Sequence, residues 1–575
     1  MIKTGAEIFV ESLLKEGVDV VFGYPGGQVL PIFNALYGSE LRLVLPRHEQ
    51  GAAHMADGYA RSTGKVGVCL ATSGPGATNL VTGLATAYMD SIPMVAFTGQ
   101  VPTHLIGNDA FQEADITGIT RPVTKHNFLV KNAKDLAQTI REAFHIASTG
   151  RPGPVLVDIP ADVQRASVEF AWPEKVEIRS YKPNYQGHPQ QIKRVAEAIN
   201  ASKQPVLYIG GGVISSGASK EVLQLAQKAE IPVTNTLLGI GAFPPDSPLY
   251  LGMLGMHGLY WANHAIQNAD LLISVGARFD DRCTGKVSEF APKAKIVHID
   301  IDPTSISKSV RVDIPVVGDA KIILTELLKD VKKSSHGEWL KTINKWKKEN
   351  PLLYKQDNRL RPQYVIETIS KLTKGEAIVV TDVGQHQMWS CQYYLAAGPR
   401  NFLSSGGLGT MGFGFPAAIG AKIANPDRLV VGISGDGGFQ MNIQELATAV
   451  LNNVDVKIAI LNNSYLGMVR QWQEMFWNKH YSSVCLHKGV NCPPTCNKTG
   501  QKICTPYIPD FVKVAEAYGA TGMRITDKKD VIPALKKAFS IKKPVVMDFI
   551  VEPEENVLPM VPTGAALHEI ITGLA

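Results

Sequence analysis

Short apolar runs that end in glycine recur along the chain, and stretches with apolar residues three and four apart fill the gaps between them. Up to about residue 165 the runs are "VDVVFGYPGG", "KVGVCLATSGPG", "IPMVAFTGQ" and "GPVLVDIP". They predict strands, the spaced stretches predict helices, and the alternation predicts βα units on a parallel sheet. A polar segment, "KVEIRSYKPNYQGHPQQ", reads as a linker. Residues 188–335 repeat the style with "PVLYIGGG", "DLLISVGARFDD", "KIVHIDIDP" and "PVVGDA", and a charged, Trp-containing stretch, "EWLKTINKWKKENPLL", follows. Residues 360–555 do so again with "AIVVTDVGQHQMW", "RLVVGISGDGG", "VKIAILNNSYLGMV" and "PVVMDFIV", leaving 556–575 as a tail. The expectation is an α/β fold of three doubly wound parallel-sheet domains: 1–165, 188–335 and 360–555. In such sheets ligands sit at the carboxyl ends of the strands, where these glycine turns fall. No short-period repeat suggests a solenoid.

Composition narrows this picture. The 575 residues exceed what one core holds, and 45% apolar with 19% charged residues fits an ordinary soluble protein. The formal charge of +6 is small, and apart from Lys345, Lys347 and Lys348 the basic residues are scattered, so no nucleic-acid partner is expected. No apolar run is long enough for a membrane span. "GAEIFVESLLKEGV" begins almost directly after Met1 without a signal or transit pattern, so a cytoplasmic location is expected.

The richest stretch is "SGDGGFQMNIQELATAVLNNVDVKIAILNNSYLGMV", residues 434–469. "GDGGF" ends one strand. Asn452 and Asn453 close a helix, a common role for Asn. Asn462 and Asn463 end the next strand, which places Asp436 and Asn463 at equivalent ends of consecutive strands. A carboxylate, a side-chain amide and a backbone carbonyl are hard oxygen ligands suited to Mg²⁺, which commonly shares its shell with phosphates. Gly435, Gly437 and Gly438 let backbone amides approach such phosphates. A plain glycine turn after a strand is the competing reading of these residues alone.

GDG, 24 residues, then NN resembles the thiamin diphosphate signature. "FGYPGG", "LPRHEQGAAHMADGYARSTG", "TSGPGATN", "AFQEADI", "GRPGPVLVDIP", "GARFDDR", "DVGQHQMW" and "GTMGFGFPAAIG" resemble the catalytic subunit of acetohydroxyacid synthase, also called acetolactate synthase, and the likeness runs from about residue 3 to 555. That resemblance implies a thiamin diphosphate fold with a central FAD-binding domain. It implies a carboligase that decarboxylates pyruvate and joins the hydroxyethyl carbanion to pyruvate or 2-ketobutyrate, toward valine, leucine and isoleucine. Mg²⁺ would be held by Asp436, Asn463 and the backbone carbonyl of Tyr465. Cofactor contacts would come from Tyr24, Pro25, Gly26, Gly27, Pro75, Asn79, Val383, Gly384, Gln385, His386, Gly409, Gly467 and Met468, beside Gly435, Gly437 and Gly438. Met411 would bend the cofactor into its V shape. Glu49, in "RHEQG", would share a proton with N1′ of the aminopyrimidine, and a carboxylate in a largely apolar cleft can hold one. The resemblance places Glu49 and Asp436 on different subunits, so a homodimer or homotetramer with interfacial active sites is implied, with a separate small regulatory subunit.

By the same resemblance Phe111 and Gln112 wall the site beside Glu49, Arg282 holds the second substrate's carboxylate, and Trp472 favours the ethyl group of 2-ketobutyrate. A guanidinium suits that task because it meets a carboxylate with two hydrogen bonds. FAD contacts map onto Arg151, Gly210, Gly211, Gly212, His257, Gly276, Arg278, Asp280, Asp300 and Asp319. "YIGGG" alone is a weak dinucleotide hint. Two positions depart from the family pattern: Ala161, where many members carry Lys, and Gly438, where Ser is common.

A third departure is "VCLHKGVNCPPTCNKTGQKICTPYIPDF", which fills a link that is much shorter in typical members. Cys485, Cys492, Cys496 and Cys504 fall within 485–504, with His487 nearby and Pro493, Pro494 and Pro506 as loop punctuation. Four thiolates at this density can close a tetrahedral zinc site; one or two disulfides, or free thiols, are the alternatives. The segment is expected to be a structural clip beside the active site.

Overall fold

The computed structural model describes residues 1–487 and 508–573. All twelve apolar runs read from the sequence are strands, distributed over three six-stranded, wholly parallel sheets. In the first sheet the order is Arg42–Val44, Val20–Gly23, Gly67–Ala71, Met94–Gln100, Pro154–Pro160, His126–Leu129. The second runs Tyr250–Met253, Val233–Asn235, Pro205–Ile209, Leu271–Val275, Lys295–Asp300, Ile314–Val317. The third runs Phe402–Ser404, Ile378–Thr381, Val430–Gly435, Lys457–Asn462, Val545–Ile550, Thr521–Ile525. Two strands per sheet were missed by pattern alone. Each is three to five residues long, and five of the six lie at a sheet edge. A small antiparallel pair, Ile2–Thr4 with Ser167–Glu169, fastens the first residues to the end of the first unit.

The sheets are central and helices cover both faces, as buried strands such as "GVCLA" and "PVLVDIP" require. The first and third sheets share a core between them, besides a further apolar cluster of each. Helix Glu49–Thr63 and helix Gly414–Ala424 lie side by side between them, and one apolar cluster runs from Phe22 and Leu156 through both helices to Val380 and Ile458. The crossing is backbone on backbone. A Cβ at Gly58 would overlap the carbonyl of Ala417, and one at Gly420 would overlap that of Met55. As the contacts advance along one helix they recede along the other, so the pair is antiparallel. The second sheet builds its own clusters, one of which takes in Val561 and Leu567 of the tail.

His54 sits inside this helix pair, fully buried, with its ring 5.4 Å from that of Phe413 and Nδ1 unpartnered. Burial, reinforced by the Arg61 charge, pushes its pKa from 6.5 to about 3. The unfolded chain therefore binds one more proton between these values. Folding stability contributed by the neutral ring is present above pH 6.5 and falls as pH drops toward 3, by about 1.4 kcal/mol per unit. In His54→Gln the loss of melting temperature between pH 7 and pH 5 should shrink by the equivalent of about 2 kcal/mol relative to wild type. Parallel thermal melts at the two pH values measure it.

Candidate active site

Strand Val430–Gly435 pairs in register with Lys457–Asn462, Gly435 opposite Leu461, so Asp436 and Asn463 leave the third sheet side by side. Asp436 opens a short helix, Asp436–Gln440, and is 1% exposed. Its carboxylate faces the backbone N–H groups of Gly437 and Ser464, yet Oδ2 has no hydrogen-bond partner. Burial pushes the carboxyl up to about 7. A buried carboxylate oxygen left without a partner is costly, and a cation beside it removes that cost. Asn463 Oδ1 accepts from the N–H of Tyr465 at 3.0 Å, and its Nδ2 lies 3.4 Å from Gln385 Oε1. Asn462 donates to Asp548, and its Oδ1 accepts the Ser464 N–H at 3.2 Å. Asn452 and Asn453 end helix Glu445–Leu451, Asn453 with φ +51°, as their helix-closing role predicts.

The turn that holds Tyr465 is clamped by a two-residue ladder: Leu466 N–H donates to Val484 and Leu486 N–H to Ser464. Across from it His386 stands between Gly384 and Gly435, where a Cβ on either would come about 3.0 Å from the ring. Burial lowers His386 to about 3, so it is neutral at pH 7, and its Nε2 is buried without a partner. Gly467 lies against Gln385 and Asn463, leaving no room for a side chain. The residues around Asp436 thus offer an unpaired anionic oxygen, glycine-lined backbone and an unpaired imidazole nitrogen, a donor set that suits a divalent cation with a diphosphate.

A cavity of about 1290 Å³ opens between the second and third sheets. From the third sheet it is lined by Val383, Gly384, Gly409, Met411, Met468 and Trp472. From the second it is lined by Gly211, Gly212, His257, Gly276, Arg278, Asp280, Arg282, Asp300 and Asp319, with Arg151 reaching in from the first unit. Gly210 and Gly212 press on the Gly276–Ala277 backbone, so glycine there reflects a close chain crossing as well as room for a ligand. Asp300 and the helix-capping Asp319 follow consecutive strands, placing two carboxylates at one rim. Arg151 is aimed by Ser91 and Asp302. Arg282 lies over the ring of Trp472, 5.8 Å from its centre, although 190 residues separate them. Met411 Cε comes 3.7 Å from the side-chain position of Gly437, which ties the cavity to the Asp436 corner.

The predicted residues of the first sheet lie elsewhere. Glu49 begins its helix, is buried, and accepts a hydrogen bond from Asn79 Nδ2 at 2.9 Å. Gly76 passes close to it, behind Pro75. Tyr24, Pro25, Gly26 and Gly27 follow the neighbouring strand. Gln112 takes φ +59° with its carbonyl against Gly74, and Phe111 is 85% exposed. None of these lines the cavity. Loop Ser405–Gly409, by contrast, is held at the other end of the antiparallel helices. Asp90 accepts the N–H groups of Gly406 and Gly407 and is itself held by Arg61. Arg61 lies twelve residues beyond Glu49 on one helix, about 18 Å along its axis.

Models of thiamine pyrophosphate enzymes match the chain in three places: the N-terminal TPP binding domain at residues 3–119, the central domain at 192–327 and the C-terminal TPP binding domain at 382–549. The acetolactate synthase large subunit of Haemophilus influenzae is 48% identical over 99% of this chain and 98% of its own length. An acetolactate synthase of Mycobacterium bovis is 50% identical over 99% of this chain and 91% of its own length. The chain belongs to the acetolactate synthase large-subunit family. A probable acetolactate synthase large subunit of Methanocaldococcus jannaschii, 49% identical over 99% of this chain and 95% of its own length, extends that likeness to an archaeon.

Among the described residues no group of three or more His, Cys, Asp or Glu side chains could hold a metal ion, so the zinc expectation gains no support. Cys485 is half-buried and bridged through its backbone to Tyr465, while Cys492, Cys496 and Cys504 lie outside the described residues. Ala161, one of the expected departures, is fully buried at a helix start. Pattern reading missed Asp382, which follows strand Ile378–Thr381. Its carboxylate accepts the N–H groups of Val383, Gly412 and Gly414 and so shapes the turn carrying Gly409 and Met411. A Cβ at Gly438 would fall 2.5 Å from Asp382 Oδ1, so in this member of the family glycine there gives the carboxylate its place. An acid at the carboxyl end of an apolar strand was the available signal. Asp382→Asn turns one acceptor into a donor. It should cost about 1–3 kcal/mol and speed amide exchange at Gly412 and Gly414 about tenfold or more, measured by hydrogen exchange beside a thermal melt.

Proposed function

We propose that the chain is the catalytic subunit of an acetolactate synthase, acting on two 2-ketoacids with thiamin diphosphate, Mg²⁺ and FAD, in branched-chain amino-acid biosynthesis. Pyruvate loses CO₂ and its two-carbon remainder joins a second pyruvate, giving 2-acetolactate, or 2-ketobutyrate, giving 2-aceto-2-hydroxybutyrate. Thiamin diphosphate, when bound, supplies a nucleophilic carbon that pyruvate chemistry otherwise lacks. The observation that carries this reading is the single cavity running from Gly384 and Met411, next to the Asp436 corner, to Arg282 and Trp472.

Asp436, Asn463 and the Tyr465 carbonyl would hold Mg²⁺, and the unpartnered Asp436 oxygen supports that reading. Backbone amides of Gly437 and Gly438, the imidazole of His386 and the residues Val383, Gln385, Gly467 and Met468 surround the diphosphate and its neighbour ring. Arg282 binds the carboxylate of the second ketoacid, and Trp472, under that guanidinium, meets its alkyl end. Gly210, Gly211, Gly212, Gly276, Asp300 and Asp319 would hold FAD, whose part would be structural, since the net reaction moves no electrons.

Glu49 holds and shares a proton at N1′ of the cofactor. Within one chain it stands at the wrong end of the helix pair, about 18 Å from the Arg61 end where the Met411 loop is tied. A second copy supplies it, so the active form is a homodimer or a dimer of dimers. Exposed apolar side chains near each half-site, Leu30 and Phe111 on one side and Val469 and Trp477 on the other, agree with a covered surface. A separate small regulatory subunit is the further partner. No helix among the described residues is long and apolar enough to cross a membrane, and a cytoplasmic location fits the proposed pathway.

Glu49→Gln should bind thiamin diphosphate and Mg²⁺ normally and lose about 10²–10⁴-fold in carboligation, because an amide cannot share that proton. Product assay beside calorimetric cofactor titration checks both halves, and near wild-type turnover would refute the role. Trp472→Leu should still form 2-acetolactate but lose about 1–3 kcal/mol of preference for 2-ketobutyrate, read as the product ratio in competition with pyruvate.

A further inference from the structure

The helix that follows the Asp436 turn reaches across to the first sheet. Glu445, its first residue, is fully buried. Its two carboxylate oxygens accept the backbone N–H of Arg47 at 3.0 and 3.1 Å. The hydroxyl of Thr448, one turn on, donates to Oε2 at 2.6 Å and also lies 3.4 Å from the carbonyl of Leu45. A Cβ at Gly51 would come 2.5 Å from Glu445 Oε1. The carboxylate is thus fitted into the bend between strand Arg42–Val44 and the helix that begins at Glu49. It touches the chain two residues before Glu49 and two residues after it. Asn79 holds the Glu49 carboxylate from the opposite side.

We infer that Glu445 is a positioning residue for Glu49: its buried carboxylate, lent by the third unit of the same chain, fixes the Arg47–Gly51 bend from which the Glu49 side chain is aimed. This rests on the reading of Glu49 given above. A buried acid is poorly used as mere filling, since desolvation opposes its charge. Burial pushes the Glu445 carboxyl up to about 7, opposed by the Thr448 hydroxyl and by the amides of Arg47 and His48 together with the Arg47 charge. The energy spent on that charge goes into one bend, and a carboxylate that must meet N1′ of a ring held by another subunit tolerates little error, because a misplacement of about 1 Å costs on the order of a hundredfold.

The test uses the full-length enzyme as Glu445→Gln and Glu445→Ala, with Gly51→Ala as a separate way of displacing the carboxylate. In the apoenzyme, hydrogen exchange at the Arg47 amide should rise about tenfold or more in all three. In the holoenzyme without pyruvate, hydrogen–deuterium exchange at C2 of bound thiamin diphosphate should slow by about 10- to 100-fold, with cofactor affinity within about twofold of wild type. In a Glu49→Gln background the same substitutions should change C2 exchange by less than about twofold, since the group being aimed is gone. Wild-type C2 exchange in Glu445→Ala, or a full additional loss in the Glu49→Gln background, overturns the inference. If the alanine variant does not bind cofactor, the isosteric Gln decides by the same criteria. Wild-type C2 exchange in Glu49→Gln alone would overturn the reading of Glu49 itself, a result distinct from failure at Glu445.

Discussion

The close crossing of helices Glu49–Thr63 and Gly414–Ala424 governs the arrangement of the rest. Gly58 and Gly420 bring two backbones into contact, against the carbonyls of Ala417 and Met55. Close-packed interiors transmit displacement rather than absorb it. The two helices lead directly into the chemistry at opposite ends: one begins with Glu49, the other follows the Met411 turn. Their antiparallel sense places the two proposed half-sites of one chain at opposite ends of the helix pair. The charged ties at each end, Arg61 with Asp57 and Asp90 at one and Glu445 with Arg47 at the other, hold the loops to that frame.

How much of this was legible in the sequence follows from what each residue has to do locally. The central strands were plain because both faces are buried and their apolar runs are unbroken. Edge strands such as Arg42–Val44 and Phe402–Ser404 were not, since three residues make no pattern. Asp436 and Asn463 were legible because strand ends and glycine turns fix where they emerge. The pairing of Arg282 with Trp472 was not derivable from periodicity; it depends on how the second unit sits on the third. Asp382, Asp90 and Glu445 were passed over for a shared reason. Each is an acid whose partners are backbone amides far along the chain, and amides leave no mark in a sequence. The zinc reading drew on cysteine density beside His487, and three of its four cysteines lie outside the described residues.

Burial of titratable groups separates two kinds of site. His54 is dehydrated by hydrocarbon within the helix pair, and its imidazole carries no charge at neutral pH. Asp436 is dehydrated beside open glycine backbone, with an oxygen unused. Each leaves one buried polar atom unpartnered, but His54 is enclosed by side chains of the helix pair, whereas Asp436 stands at a strand end beside glycine backbone with room for a ligand.

The middle unit stands apart from the shared core, and the chain both enters and leaves it through polar segments. It meets the third unit directly, through Ile240 in that unit's core and Gln392 donating to the His257 carbonyl, and it meets the tail, where Val561 N–H donates to Met256, Lys286 N–H donates to Ala565, and Leu567 is buried among middle-unit residues. The tail is thus one of several ties, from distant parts of the chain, across the cleft in which Arg282 meets Trp472.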